Sequence, residues 1–151
     1  MTETSVFRIL QIEDNDGDVL ALRRSFMRIG ANVELTAVSR VEEGLKRLAD
    51  TKASDFGLVL IDINMPGLSG FDLLKTLKAK TIRSSVPLFV LSSSHYEEDV
   101  ALSHRLGADG FLTKPNDAAG FTKLAQFLHD IWNGRSDASY EGLRVPGNLV
   151  T

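Results

Sequence analysis

Three carboxylates, a hydroxyl and an ammonium stand where short apolar runs of this chain end. Leu58-Val59-Leu60-Ile61 closes on Asp62, and Arg8-Ile9-Leu10-Gln11-Ile12 closes on Glu13-Asp14. The run Leu88 to Leu91 leads into Ser92, and Gly110-Phe111-Leu112-Thr113 leads into Lys114. If those ends gather at one edge, the carboxylates repel one another and hold protons unless a cation sits among them. Oxygen ligands without histidine or thiol select Mg²⁺ over zinc or copper, and a Mg²⁺ that keeps open positions typically serves a phosphoryl group. Taken singly, each residue has an ordinary duty. Glu13-Asp14 can make a turn or cap a helix, Ser92 can cap a helix, Asp62 can cap a loop, and Lys114 can be a solvated lysine. Their joint position at strand ends favours a site.

For these ends to meet, the runs must be neighbouring strands of a parallel sheet. Four apolar residues before Asp62, bounded by Gly57 and Pro66-Gly67, read as a strand buried on both faces, as parallel sheets require. Open parallel sheets carry their chemistry at the carboxyl ends of the strands. Helical patterns separate the runs. Val19, Leu22 and Phe26 share a stripe with Gly30 as the stop, and Val33 to Val38 reads as a second strand. Ser39-Arg40-Val41-Glu42 has the capping-box form, ahead of a helix with Val41, Leu45 and Leu48 inward. Phe71, Leu74 and Leu77 mark a third helix, Glu97 to Leu106 a fourth stopped by Gly107, and Phe121 to Trp132 the last. Between the fourth strand and fourth helix lies Ser92-Ser93-Ser94. Strand and helix alternating five times predict an α/β fold, a doubly wound five-stranded parallel sheet with helices on both faces.

With 151 residues, 43% apolar and 25% charged, the chain is sized for one domain with a core that needs no staples. The net charge of -3 and the lack of a basic stripe argue against nucleic acid as a partner. Its apolar runs are too short to span a bilayer and no signal segment opens it. The absence of cysteine fits a reducing compartment, so a cytoplasmic protein with no membrane partner is expected.

Glu13-Asp14-Asn15, Leu58 to Gly70, Pro87 to Ser92 and Lys114-Pro115 together resemble the receiver domain of two-component response regulators, from about Arg8 to Trp132. The resemblance implies a (βα)5 flavodoxin-like fold and a role for each position. Asp62 would be the phosphoacceptor, taking a phosphoryl group from a phosphohistidine of a sensor histidine kinase. Asp14 would ligate Mg²⁺ directly, Glu13 through water, and Asn64 through its backbone carbonyl. Ser92 and Lys114 would bind oxygens of the aspartyl phosphate, and Phe111 would be the switch aromatic, with a plain core phenylalanine as its rival. Lys114-Pro115 resembles the cis peptide of that family. Ser92 stands where threonine is more usual, which keeps the hydroxyl and frees its rotamer. Phe111 lacks the phenol oxygen of the tyrosine often found there. Small Ser93 leaves room for water, which implies fairly fast self-dephosphorylation.

Three other readings share these residues. A Mg²⁺-dependent phosphatase with an aspartate nucleophile would need a second aspartate two positions on, where this chain has Asn64. A flavodoxin-like cofactor binder would need a phosphate loop where Glu13-Asp14 stands. A pseudo-receiver would bind partners without taking phosphate, yet no pocket residue is missing. The expectation is a switch protein and not an enzyme.

Residues 1–133 are expected to form the receiver domain and 134–151 a C-terminal tail, too short for a DNA-binding output domain. Phe121, Leu124, Phe127, Leu128, Ile131 and Trp132 give the last helix a wide apolar face, and Leu143 to Val150 is more apolar than a solvated terminus. A homodimer through the last helix and a crossing tail is expected, ahead of a tail folded on its own domain. The helix ending, the length and Glu13-Asp14-Asn15 are similar to stand-alone regulators that partner bacterial and cyanobacterial phytochrome kinases.

Overall fold

The computed structural model describes residues 5–50, 56–65, 67, 69–80, 86–93 and 96–145. Pro66, Ser94 and the tail end 146–151 lie outside these residues.

The elements run β1 (Phe7–Ile12), α1 (Asp16–Arg28), β2 (Val33–Val38), α2 (Val41–Asp50), β3 (Leu58–Ile61), α3 (Gly70–Lys80), β4 (Leu88–Ser92), α4 (Glu97–Arg105), β5 (Gly110–Thr113), α5 (Ala118–Trp132) and β6 (Leu143–Arg144). The sheet order is β2-β1-β3-β4-β5-β6. The first five strands pair in parallel, as expected of βα units, and β6 adds to β5 antiparallel.

Strand alternation divides the core into two layers. Leu10, Ile12, Val59, Ile61, Val90 and Phe111 face one side, with Val41 and Leu48 of α2, Leu73, Leu74 and Leu77 of α3, and Val100 of α4. Phe7, Ile9, Leu58, Leu60, Phe89 and Leu112 face the other, with Leu22 and Phe26 of α1 and Phe121, Leu124 and Leu128 of α5. All four residues of β3 are fully buried, the double-sided burial its continuous apolar run predicts.

Helix ends follow local chemistry. Asn15 caps α1 through its side chain, which accepts the Asp18 N–H at 3.0 Å. Gly30, Gly107 and Gly134, all with φ in the left-handed region, end α1, α4 and α5. Each does so with the same pair of bonds, the glycine N–H to the carbonyl three back and the next N–H to the carbonyl five back.

Three local expectations shift. The Gly44 N–H bonds the Arg40 carbonyl, so Arg40 holds the N-cap place of α2 and Ser39 falls one residue outside it. α5 begins at Ala118 rather than Phe121, because Asp117 caps it by accepting the Gly120 N–H at 2.7 Å. Lys114–Pro115 is trans rather than cis, the isomer an X-Pro bond prefers by about 0.5–1 kcal/mol.

The wide apolar face of α5 is largely used within the chain. Phe121, Leu124, Phe127 and Leu128 are buried, and Trp132 stacks on Phe7 with ring centroids 4.8 Å apart. After α5 the described part of the tail folds back: Tyr140 tilts against Phe127 at 5.9 Å, and Leu143 and Arg144 pair with Leu112 and Phe111. Residues up to 145 therefore lie on their own domain, with Leu143 and Val145 left exposed.

Candidate functional site

The sheet's backbone ladder runs one residue past several strands and fixes the site residues by their main chains. Asp62 N–H bonds the Ile12 carbonyl at 3.0 Å, Glu13 N–H the Val38 carbonyl at 2.9 Å, and Lys114 N–H the Ser92 carbonyl at 2.8 Å. The carboxyl ends of β1, β3, β4 and β5 are thus neighbours, and Glu13, Asp14, Asp62, Ser92 and Lys114 come together as their spacing predicts. Gly70, the first residue of α3, closes on this edge from behind. A Cβ there would stand 2.6 Å from the Asp62 carbonyl oxygen, so only glycine fits.

Asp62 is buried, and both of its carboxylate oxygens are engaged. Oδ1 accepts the Asn64 N–H at 3.0 Å, and Oδ2 lies 3.3 Å from Lys114 Nζ. Asn64 Nδ2 donates to the Ser92 hydroxyl at 3.2 Å, tying the β3 and β4 ends together. Ser92 is fully buried, whereas Ser93 is exposed. Phe111 is also fully buried within the layer that packs α2, α3 and α4.

Lys114 gathers the charges. Its Nζ is 2.8 Å from Glu13 Oε1, 2.8 Å from Asp18 Oδ2 and 3.3 Å from Asp62 Oδ2. Burial alone would lower its pKa, but hydrogen bonds to Asp18 and Glu13 and the Asp62 charge outweigh burial and hold it above its ordinary value. Glu13 moves the opposite way for a paired acid. Burial pushes its carboxyl from 4.5 up to about 7; Lys114 opposes that rise and the Asp62 charge adds to it. The two shifts have different origins: burial itself raises Glu13, whereas the surrounding carboxylates raise Lys114 against the effect of burial. Lys114 is amply paired and Glu13 remains short of positive charge. The other Glu13 oxygen, Oε2, accepts the Asn15 N–H at 3.2 Å.

One carboxylate oxygen each from Glu13, Asp14 and Asp62 falls within 4.8 Å of the others, with Glu13 and Asp62 buried and Asp14 exposed. Three hard oxygens, two of them desolvated and one open to water, suit a Mg²⁺-type cation that keeps part of its hydration. Two of these carboxylates, Glu13 and Asp62, are buried around one ammonium, and a divalent cation would offset the charge that Lys114 leaves uncompensated.

Asp18 was missed from the sequence. The spacing Asn15-x-x-Asp18 speaks only of a helix's first turn, and contact between residues 18 and 114 appears only once the sheet brings the ends of β1 and β5 to one edge.

A doubly wound sheet with this acidic edge defines a class, and comparison agrees. The family model described as the response regulator receiver domain matches residues 9–126, and the chain belongs to that family. The sensory transduction protein RegX3 of Mycolicibacterium smegmatis is 36% identical over 110 residues, which cover 73% of this chain and 45% of that protein. The chain thus spans under half of that relative. Among solved structures, the phosphorylated cyanobacterial phytochrome response regulator RcpA superposes with a TM-score of 0.77 at 23% identity, covering 91% of this chain and 99% of that one. The response regulator RPA3017, in red light signaling of R. palustris, gives a TM-score of 0.71 at 25% identity, covering 91% and 98%. Among the described residues no helix is long and apolar enough to cross a membrane.

Proposed function

We propose that the chain is a response regulator receiver that accepts a phosphoryl group from a sensor histidine kinase onto Asp62 in a Mg²⁺-dependent reaction. The observation that carries this reading is the Asp62 carboxylate itself. It is buried at the end of β3, held by the Asn64 N–H at 3.0 Å and faced by Lys114 Nζ at 3.3 Å, inside a three-carboxylate cluster.

In the transfer an Asp62 carboxylate oxygen attacks phosphorus, the P–N bond to the kinase imidazole breaks, and its electron pair returns to that nitrogen. There is little covalent chemistry for the protein to supply, so its task is positioning and charge. Lys114 and the Ser92 hydroxyl bind phosphoryl oxygens, and the Asn64 N–H orients the nucleophile. Glu13, Asp14 and Asp62, with the Asn64 carbonyl, would hold Mg²⁺, which when bound neutralises charge on the group in transit. The phosphorylated Asp62 then gains nearly two charges and three acceptor oxygens. Ser92 is drawn toward them, Phe111 takes the vacated space, and the face made by α4, β5 and α5 changes its population of two states. The chain acts as a switch read by other proteins or in onward phosphorelay, not as an enzyme on outside substrates. Asn64 supports this, since its amide cannot transfer protons as the second aspartate of a phosphatase does.

The likeness to RcpA and RPA3017 supports a phytochrome-type kinase as the partner. Because α5 is largely covered within the chain, we assign the homodimer contact to the exposed Leu143 and Val145 rim of the tail. Sedimentation with and without residues 139–151 tests it, and an unchanged mass removes it. Cytoplasmic location follows from a kinase donor.

The functional test is labelling from a phosphorylated kinase or acetyl phosphate with Mg²⁺ present. The parent should take label and Asp62→Asn should take none; label persisting in that variant would refute the assignment.

A further inference from the structure

We propose that Asp18 is a positioning residue for Lys114, holding its ammonium at the site when a divalent cation takes the other carboxylates. The inference rests on the phosphoacceptor reading and assigns a role within that same site. Among the described residues, three carboxylates lie within ion-pair distance of Lys114 Nζ. Two of them, Glu13 and Asp62, also belong to the three-oxygen cluster suited to a metal, and Asp18 does not.

A cation bound by Glu13 and Asp62 competes with Lys114 for the same two carboxylates and repels it. With those two partners alone, the ammonium would have to share both carboxylates with the metal, which loosens its hold beside a phosphoryl group on Asp62. Asp18 removes that conflict, because its contact at 2.8 Å survives when Glu13 and Asp62 turn to the metal. Its own place is fixed independently of Lys114. Asp18 is the third residue of α1, and its N–H is tied to the Asn15 side chain at 3.0 Å. The side chain is only 25% exposed and that of Lys114 only 12%, so the pair is shielded from the screening that weakens surface ion pairs.

An acid in the first turn of a helix also favours the helix dipole, and Asp16 supplies a control. Asp16 shares that first turn and lies outside the carboxylates that reach Lys114, so Asp16→Asn removes a dipole partner without touching the ammonium.

The full-length chain carrying Asp18→Asn, Asp18→Glu or Asp16→Asn tests the assignment. The first readout is the ¹⁵Nζ resonance of Lys114, recorded without metal and with saturating Mg²⁺. The parent should keep a slowly exchanging signal in both states, and Asp18→Asn should lose it when Mg²⁺ is added. The second readout is the Mg²⁺ midpoint, which should rise about threefold in Asp18→Asn because Lys114 then leans wholly on Glu13 and Asp62. The third is labelling by acetyl phosphate at saturating Mg²⁺, which should slow about tenfold in Asp18→Asn and recover in part in Asp18→Glu. A parent-like Lys114 signal, midpoint and rate in Asp18→Asn would overturn the proposal, as would equal losses in Asp16→Asn. Label on Asp62→Asn would instead sink the phosphoacceptor reading itself, so the two failures are distinct.

Discussion

The Tyr140 hydroxyl donates to the carbonyl of Thr113 at 2.7 Å, one residue before Lys114. The Thr113 N–H in turn bonds the Gly142 carbonyl at 2.8 Å, so the tail grips β5 beside the site. Tyr140→Phe should weaken that grip by about 1 kcal/mol, which is roughly fivefold in the exchange of the Thr113 and Leu143 amides. Unchanged protection of both amides would show that the tail is held by packing alone.

The same tyrosine gives the tail a pH limit. Burial pushes its phenol from 10.0 up to about 12, with the Glu141 charge adding to the rise. The folded chain then holds the proton more tightly than the unfolded one. Its contribution is complete below the ordinary value of 10.0 and is lost as pH climbs towards about 12. Ultraviolet titration of the parent against Tyr140→Phe isolates this group; a phenol that ionises at its ordinary value counts against the docked tail.

Gly70→Ala should disturb the site more than the fold. Its Cβ would meet the Asp62 carbonyl at 2.6 Å, Ile61 Cγ2 at 2.7 Å and Ile63 Cα at 2.9 Å, so the loop bearing Asp62 must shift. A stability loss of about 2 kcal/mol is expected in urea, with labelling slowed by more than that loss explains. Parent-like labelling would mean the loop relaxes without moving the carboxylate.

Glu13 sets a trend in the metal-free protein. Its carboxyl is raised from 4.5 to about 7 by burial, so its share of stability is full below 4.5 and lost as pH rises through about 7. Glu13→Gln keeps the neutral form. Without metal it should be more stable than the parent near pH 8 by on the order of 1 kcal/mol, while gaining less from added Mg²⁺. Denaturation curves in chelator with a pH-independent difference would contradict this.

Phe111→Ala removes a fully buried ring from the layer under α4. A loss of about 3–5 kcal/mol is expected by chemical denaturation. A loss below 1 kcal/mol would mean the packed position is only loosely occupied.

Ser93 is small and exposed beside Ser92, leaving water a path to an acyl phosphate. Decay of labelled protein should be complete within the hour, and Ser93→Leu should slow it. A lifetime of many hours in the parent would contradict that path.

Much of this was legible because β3 is unmixed. Leu58 to Ile61 cannot be a surface helix or a half-exposed strand, and that fixed both the sheet type and the place of Asp62. The two-residue β6 was not legible, because Leu143-Arg144 has no periodicity; its pairing comes from Tyr140 docking on Thr113. Ser39 misled because a capping box needs a backbone turn one residue earlier than this one. Asp117 was overlooked because Ala118-Ala119-Gly120 carries no apolar stripe to announce a helix. Asp18 was invisible for a different reason. Its partner is far away in sequence, and a pattern within one helix says nothing of a lysine on another element.

The site residues hang from main-chain bonds that continue the sheet past its strands, as Asp62 does from Ile12 and Lys114 from Ser92. Their placement is thus nearly independent of which side chains line the outer faces of the helices. The exposed Leu20, Arg23, Arg24 and Met27 of α1 should therefore be exchangeable with little effect on where Asp62 and Lys114 stand.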